Sequence, residues 1–350
     1  MLELIKKISF ENFILKKEVP VHKAGWIYYL GGITMFCFLI QVITGLLLLP
    51  YYQPNIIGAY QSIEYINYFI PNGFLVRNLH GWASSFMIFF ATVHLLTVFA
   101  TKAYQKPREL TWVTGVILLI ITLAFGFTGY LLPWHQIAVN ATKVAMEIIQ
   151  SSTSFLPGIF RYPGKFLAAT LSGGPIITQA TLSRFFALHV VILPFAFLVL
   201  ITIHLFLVQL HGMSKENFKV QRYEKFFPDF FIKDLAVWLF LFLVLLIIGQ
   251  TLPYDSFMPY PLKAPYIDNS PTPAGIKPEW YFLFLYYPLE MLPKTFVIMS
   301  SFFIFVLVLL TPLFFKKLSM KIHVLVAFFA FAYLVISTVW GGDIVQFIRK

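Results

Sequence analysis

Residues 77–104 decide the fold, and they read RNLHGWASSFMIFFATVHLLTVFATKAY. The stretch is apolar and long enough to cross a bilayer, because about 20 helical residues at about 1.5 Å each span the roughly 30 Å hydrocarbon core. It nevertheless contains His80 and His94, and polar side chains inside a membrane usually serve a function. Their spacing of fourteen residues rises about 21 Å and returns to within about 40° of the starting direction. Both imidazoles therefore leave one face of the helix, one in each half of the membrane.

A second apolar stretch, residues 185–210, repeats the pattern. Its His189 and His204 are fifteen residues apart, about 60° from alignment on a regular helix. With the two helices side by side, His80 could face His189, and His94 could face His204. Two imidazoles that face each other across a helix bundle suit the two axial positions of a haem iron. A single buried histidine is usually a hydrogen-bonded core residue, but two matched pairs favour cofactor binding.

Two glycine pairs share the histidine interval. Gly31 and Gly45 lie in one apolar stretch, Gly115 and Gly129 in another, and each pair is fourteen residues apart. Glycine costs helix stability, so its repetition at this period indicates close approach of a flat or bulky group. Helix packing through small residues is the alternative for either pair alone. The shared interval predicts two stacked planar cofactors inside a four-helix bundle.

The composition is typical of an integral membrane protein. Of the 350 residues 59% are hydrophobic and 12% are charged, whereas soluble domains carry about 25% charged residues. No signal peptide is visible, so the first span is expected to direct insertion. The single cysteine, Cys37, excludes an intrachain disulfide, a cysteine-ligated iron–sulfur cluster and a C-x-x-C-H haem attachment. Haem held by the histidines would therefore be non-covalent, of the b type.

The hydropathy pattern predicts an all-α integral membrane protein with seven transmembrane helices. An N-terminal dihaem four-helix bundle, 1–215, precedes a C-terminal domain of three helices, 216–350. The predicted spans are about 27–50, 77–101, 111–132, 185–210, 232–252, 295–315 and 322–340.

Basic residues give the expected orientation. The net charge of +11 lies in loops between spans, so it reports membrane topology and does not indicate nucleic-acid binding. Placing the N-terminus in the cytoplasm agrees with the positive-inside rule and puts His94 and His204 near the inner face. Residues 1–24 are expected to form an amphipathic surface segment and residues 138–149 a short surface helix. Pro194 should kink the fourth span.

The last long loop carries a second constellation, in which Pro278, Glu279, Trp280 and Tyr281 precede an apolar run. An acid beside aromatic rings at a membrane boundary can accept a proton from a ring-shaped apolar substrate, and burial raises its pKa toward neutrality. An interfacial aromatic belt with a solvated acid is the alternative, and the residues alone favour it.

Several motifs together carry a resemblance to a known family. They are GGITMFCFLIQVITG at 31–45, RNLHGW at 77–82, KPRELTWVTGV at 106–116, GYLLPW at 129–134, TLSRFFALH at 181–189 and PEWYFLFLY at 278–286. Over about residues 20–345 the chain resembles the cytochrome b subunit of quinol:cytochrome c oxidoreductases, the cytochrome bc and bf complexes.

The resemblance implies roles for individual residues. It implies that one b-type haem is ligated by His80 and His189 near the outer face, and a second by His94 and His204 near the inner face. Residues expected to surround the haems are Arg77, Arg184 and Arg108 at the propionates and Gly31, Gly45, Gly115 and Gly129 against the porphyrins. The implied quinol-oxidation pocket holds Glu279, Tyr281 and Tyr130 as catalytic residues, with Pro278 and Trp280. The implied quinone-reduction pocket holds Lys233, Asp234 and His211.

The chain departs from the family pattern at four points. The bf branch divides the protein into two polypeptides, whereas one chain carries both halves here. Tyr29 stands where that branch has a cysteine tethering an extra c-type haem, which puts a third, covalent haem in doubt. Gln209 replaces an arginine near the inner quinone site, with His211 as a substitute. His135 follows Pro133-Trp134, where relatives carry glycine or aspartate, and it receives no role.

The function implied by the resemblance is a proton-translocating Q cycle. Quinol is oxidised near the outer face, and one electron goes to a Rieske-type iron–sulfur protein. The other crosses about 20 Å between the haems and reduces quinone near the inner face. The expected setting is a homodimeric complex with a c-type cytochrome subunit in a bacterial cytoplasmic (inner) membrane. The alternatives are a dihaem anchor of a quinone-linked dehydrogenase and a transporter with histidine proton relays, which predicts no haem spectrum.

Overall fold

The computed structural model describes residues 17–214, 219–256, 263–268 and 276–348. The described part is mostly α-helical, as predicted. Six segments are long and apolar enough to cross a membrane: Gly25–Leu48, Gly73–Ala100, Glu109–Leu131, Gln179–His211, Phe226–Thr251 and Met320–Ile348. They coincide with six of the seven predicted spans. The predicted domain boundary at 215/216 lies outside the described residues.

The helices are numbered here in chain order. They are α1 Tyr29–Leu48, α2 Ala59–Phe69, α3 Gly73–Ala100, α4 Glu109–Leu131, α5 Gln136–Ser151, α6 Tyr162–Ser172, α7 Gln179–Ala187, α8 Leu193–His211, α9 Phe231–Thr251, α10 Leu283–Met291, α11 Lys294–Leu309, α12 Thr311–Phe314 and α13 Met320–Ile348. Short 3₁₀ turns cover Gly25–Tyr28, Gly158–Arg161 and Trp280–Phe282, and π turns cover Leu188–Ile192 and Phe226–Phe230.

Four helices form the bundle that the histidines require. Helix α1 packs along α3, and α4 packs along α8, while α9 covers α1 and α3. The central core contains Cys37, Met87, Leu118 and Phe197, all of which lie in sequence between the paired histidines or glycines of their helices. An apolar layer therefore separates the two histidine levels of the bundle.

The fourth span is not a continuous α-helix. Helix α7 passes through the π turn Leu188–Ile192 into α8, whose first turn contains Pro194. Proline has no N–H to donate to the preceding turn, so the helix is disturbed here as predicted. A π turn holds one residue more than an α turn and often occurs at functional sites. It contains His189, and it accommodates the additional residue in the interval between His189 and His204.

The predicted span at 295–315 is divided. Helix α11 has 16 residues and rises about 24 Å, less than the roughly 30 Å hydrocarbon core. It ends before Leu310, and Pro312 stands in the first turn of α12, where a missing N–H is tolerated. The count of seven spans therefore stays a prediction.

The connections carry the remaining structure. Strand β1, Glu18–Val21, pairs antiparallel with strand β2, Arg222–Lys225. The first sixteen residues of the predicted amphipathic segment lie outside the described residues. Helix α5 confirms the short helix predicted at 138–149, and it buries Val139 and Met146.

Candidate functional site

His80 and His189, called the outer pair after their predicted side of the membrane, face each other across the bundle; His94 and His204 are called the inner pair. The ring centres of His80 and His189 lie 6.3 Å apart. A metal–imidazole bond of about 2 Å on each side, plus about 1 Å from nitrogen to ring centre, gives a separation of about 6 Å. The observed distance therefore fits two axial ligands of one metal. On the inner side His94 and His204 are close enough to interact electrostatically.

Threonines fix the tautomers of three histidines. The oxygens of Thr44, Thr114 and Thr128 lie 2.9, 2.9 and 3.2 Å from Nδ1 of His80, His204 and His189, respectively. Each threonine donates its own hydroxyl hydrogen to a backbone carbonyl of its helix. The oxygen must therefore accept from Nδ1–H, which leaves the Nε2 lone pair free. This is how metal-binding histidines are usually oriented.

The fourth histidine lacks such a partner. His94 Nδ1 is buried and finds no hydrogen bond among the described residues. The three orienting threonines each directly precede a glycine, at 44–45, 114–115 and 128–129, whereas Leu30 precedes Gly31. The inner pair therefore has one oriented ligand and the outer pair has two.

Each histidine ring lies against one of the predicted glycines. A Cβ built on Gly31 would lie 3.4 Å from Cε1 of His94, and one on Gly45 would lie 3.4 Å from Cε1 of His80. The corresponding distances are 3.2 Å from Gly115 to His204 and 2.6 Å from Gly129 to His189. At Gly129 a side chain would displace the imidazole. These glycines are needed for the position of the histidines themselves, in addition to the role predicted for them.

A cavity of about 350 Å³ connects the outer histidines with the acid motif of the last loop. Its lining includes His80 and His189 at one side and Glu279, Tyr281 and Tyr130 at the other. Tyr281 reaches it because Gly126 has no side chain: a Cβ there would lie 2.5 Å from the tyrosine oxygen. The three residues predicted as catalytic therefore share one cavity with two predicted ligands.

The Glu279 carboxyl is held in a polar network within apolar surroundings. Tyr254 donates its hydroxyl to Oε2 of Glu279 at 3.4 Å, and that hydroxyl lies 3.3 Å from Oγ of Ser85. Trp280 is not among the described residues that line the cavity, and its indole N–H donates to Ser85 at 3.2 Å. Burial raises the pKa of Glu279 to about 7, against the lowering effect of hydrogen bonds from Tyr254 and the Trp280 backbone. This carboxyl can therefore exchange a proton near neutral pH.

The three predicted arginines lie in different surroundings. Arg77 lines the cavity, 3.6 Å from Asp255 and 3.3 Å from Asn67. Arg184 is exposed and donates to the carbonyls of Thr170 and Ala169 at the end of α6. Arg108 donates to backbone carbonyls at 211–213, beyond the end of α8. Only Arg77 faces the outer cavity among these described side chains.

The predicted inner quinone residues have different immediate surroundings. Lys233 is half-exposed and forms an ion pair of 2.5 Å with Glu224. Asp234 turns inward against Gly32, and its Oδ1 has no hydrogen-bond partner among the described residues. Nδ1 of His211 also has no hydrogen-bond partner among the described residues.

Lys17 supplies a cation on the inner side that the sequence did not suggest. Its ammonium contacts the Gln209 side chain and lies 3.5 Å from the Val208 carbonyl. Burial lowers the pKa of Lys17 to about 8. Thus Lys17 donates to Gln209.

Sequence reasoning missed several further residues of the outer site. Tyr254 has no local pattern that marks it, and His135 stood out as a departure from the family but received no role. The orienting threonines do have a signal, because the dipeptide Thr-Gly occurs at three of the four predicted glycines.

Comparisons with known proteins agree with this architecture. Residues 15–212 match the family model "Cytochrome b/b6/petB", and residues 267–345 match "Cytochrome b(C-terminal)/b6/petD". A cytochrome bc complex cytochrome b subunit of Chlorobaculum thiosulfatiphilum is 42% identical over 277 residues, covering 77% of this chain and 61% of that protein. The chain thus spans less than two thirds of the length of this relative.

Two further comparisons concern the N-terminal part and the fold. Cytochrome b6 of Prochlorococcus marinus (strain AS9601) is 39% identical over 201 residues, which is 57% of this chain and 88% of that protein. A solved "Hyperthermophilic respiratory Complex III" matches with a TM-score of 0.77 and 26% identity, covering 99% of this chain and 96% of that chain.

Fold and site define an integral membrane protein of the electron-transport class, with apolar helices that carry facing histidines. With the two family matches, the chain belongs to the cytochrome b family. Membership in this family implies b-type haem.

Proposed function

We propose that this chain is the cytochrome b subunit of a proton-translocating quinol:cytochrome c oxidoreductase that works by a Q cycle. Quinol is oxidised near the outer face and quinone is reduced near the inner face. The single observation that carries the proposal is the cavity shared by the facing pair His80 and His189 and the buried acid Glu279. A redox centre and a proton acceptor in one cavity suit oxidation of a compound that gives up electrons and protons together.

The four histidines would hold two haems, His80 with His189 and His94 with His204. Three of them present an unprotonated Nε2, as axial ligation requires. When bound, the two haems would supply the one-electron carriers between the two faces of the membrane. Arg77, the cation that lines the outer cavity, is the best placed of the three arginines to neutralise propionates.

Glu279 would take a proton from quinol. The pKa of about 7 means that the carboxylate form, which accepts protons, prevails above neutral pH and declines below it. Tyr254 stabilises the carboxylate by donating to Oε2, while Tyr130 and Tyr281 shape the apolar wall of the pocket. Burial stabilises the uncharged, protonated form of the Glu279 carboxyl. The carboxyl would later release this proton toward the outer face.

Quinone reduction on the inner side would use Asp234, whose inward-turned carboxylate has an oxygen without a partner among the described residues. Lys233 and His211 complete the proposed pocket. Lys17 provides a positive charge next to Gln209, the residue that stands where the bf branch has an arginine.

The setting follows from the same proposal. We propose a Rieske-type iron–sulfur protein and a c-type cytochrome as partners in a homodimeric complex of a bacterial inner membrane, with a cytoplasmic N-terminus. The relative from a cytochrome bc complex and the Complex III fold support association with further subunits. The proposal also includes two domains, a dihaem N-terminal domain, 1–215, and a C-terminal domain, 216–350. Helix α11 is the proposed seventh span. A third, covalent haem is not part of the proposal.

The test is haem content in the purified complex. His94→Leu and His204→Leu should each remove the inner haem from the reduced-minus-oxidised spectrum, keep the outer haem, and stall quinol oxidation after one turnover. His323→Gln is the matched control, because His323 is also buried in a membrane helix but bonds Tyr104 at 2.6 Å. Intact haem content in both leucine variants would contradict the ligand assignment, and a colourless wild-type complex would favour a histidine-relay transporter.

A further inference from the structure

His135 is a buried polar side chain for which the preceding mechanism has no use. It is 7% exposed and occupies the N-cap position of α5, where its Nδ1 accepts a hydrogen bond from the backbone N–H of Ala138 at 3.1 Å. Its backbone is held by a β-bridge to Pro265, beside a hydrogen bond of 2.9 Å from Gln136 N–H to the Ala264 carbonyl. The imidazole is therefore fixed before any ligand binds.

The hydrogen bond from Ala138 decides which ring nitrogen carries the proton. Since Nδ1 accepts an N–H, it bears no hydrogen, and the neutral ring must carry its hydrogen on Nε2. Burial, together with the positive charge of Arg77, lowers the pKa of His135 to about 4, so the ring stays neutral at physiological pH. No hydrogen bond joins Nε2 to another side chain or backbone group within the described part of the chain. Nε2–H is thus a neutral donor without a partner there.

The free donor belongs to the outer cavity. His135 lines it together with Glu279 and His189. Its ring packs edge-on against Tyr130, with ring centres 6.1 Å apart. Arg77, which also lines the cavity, is paired with Asp255 at 3.6 Å. A neutral donor next to the proposed substrate pocket suits a neutral oxygen, whereas the charged guanidinium of Arg77 suits a carboxylate.

We propose that His135 binds the substrate in the outer cavity by donating Nε2–H to a ring oxygen of the quinol or quinone. The inference rests on the proposed function and deepens it, since it names a second substrate contact besides Glu279. A donor that is already oriented binds its acceptor without the entropy cost of ordering a side chain. Because Nδ1 is occupied and Nε2 already carries a hydrogen, His135 acts as a donor and not as a base.

The experiment uses the purified complex and a short-chain quinol. His135→Asn keeps a good N-cap acceptor for Ala138 but withdraws the donor from the position of Nε2. The KM for quinol should rise on the order of three- to tenfold, the change expected for one lost hydrogen bond, while kcat changes less. The outer haem spectrum, its midpoint potential and the pH midpoint of the reaction should stay as in the wild type. His135→Gln, whose amide reaches farther, should recover part of the affinity.

Three results would overturn the assignment. If the wild-type complex oxidises quinol and His135→Asn has the same KM for quinol, His135 does not contact the substrate. An unchanged KM with a shifted outer haem potential means that the donor serves a propionate instead. A shifted pH midpoint means that His135 takes part in proton transfer. If the wild-type complex binds haem but does not oxidise quinol, the proposed function fails, and this inference falls with it.

Discussion

The hydrogen bond from Tyr254 to Glu279 makes a quantitative prediction. Tyr254→Phe removes the hydroxyl that donates to Oε2 at 3.4 Å. The ring itself is held by packing: a Cβ on Gly81 would lie 2.5 Å from its Cγ, and Trp82 packs edge-on at 5.6 Å. Phenylalanine keeps these contacts, so the substitution changes the environment of the carboxylate and little else.

The magnitude follows from the geometry. Hydrogen bonds to charged groups contribute about 1.5–3 kcal/mol to stability. The donor–acceptor distance of 3.4 Å is longer than usual, so this bond should contribute less, about 1 kcal/mol. Since one pKa unit corresponds to about 1.36 kcal/mol, the pKa of Glu279 should rise by about half a unit to one unit. The sign is upward because the lost bond stabilised the ionised form. At neutral pH the variant therefore contains less carboxylate.

The assay is the rate of quinol oxidation as a function of pH on both sides of 7. In the wild type the rate should rise as pH passes through about 7, and in Tyr254→Phe this rise should move to higher pH. Glu279→Gln is the control: it should lose the pH-dependent rise and about 10²–10⁴-fold of the rate, with both haems retained. A midpoint that stays in place in Tyr254→Phe, or moves to lower pH, would refute the reasoning. Loss of a haem in Glu279→Gln would make that residue structural.

Two further predictions concern the orientation of the histidines. Thr114→Val removes the acceptor for Nδ1 of His204 and should weaken retention of the inner haem by about 10–100-fold, measured as haem remaining after dilution or competition. Full retention would show that the threonine is dispensable. Leu30→Thr places a hydroxyl beside His94, as threonines stand beside the other three, and should lower the midpoint potential of the inner haem in a redox titration, because a hydrogen-bonded ligand is more basic. An unchanged or higher potential would contradict this.

The spans and the faces of the histidines could be predicted from the sequence because both depend on helix geometry alone. Rise and rotation per residue are set by backbone hydrogen bonds, so counting from His80 to His94 is enough to place both on one side. The lipid environment excludes non-helical backbone in these spans, since every backbone polar group must be hydrogen-bonded within the helix. The acid motif at Glu279 was recognisable, but its local sequence favoured a solvated acid, because burial by distant segments leaves no local pattern.

Tertiary packing decided what the sequence left open. The fifteen-residue interval between His189 and His204 depends on the π turn at Leu188–Ile192. This turn forms where Pro194 has no N–H for an α-helical hydrogen bond. The surroundings of Arg184 also depend on packing, because its guanidinium donates to carbonyls at the end of α6.

The sequence by itself determined an apolar helical protein with imidazoles at two depths, because hydropathy and helical period are local properties of the chain. Only the tertiary structure decided that Tyr254, Glu279 and His135 line one cavity with the outer histidine pair. Tyr254 and Glu279 come from the two ends of the connection between α9 and α10, and His135 comes from the connection between α4 and α5. Their meeting depends on how the helices pack. Proton affinity and hydrogen-bond direction, on which the chemistry depends, are set by those neighbours and by the water they exclude.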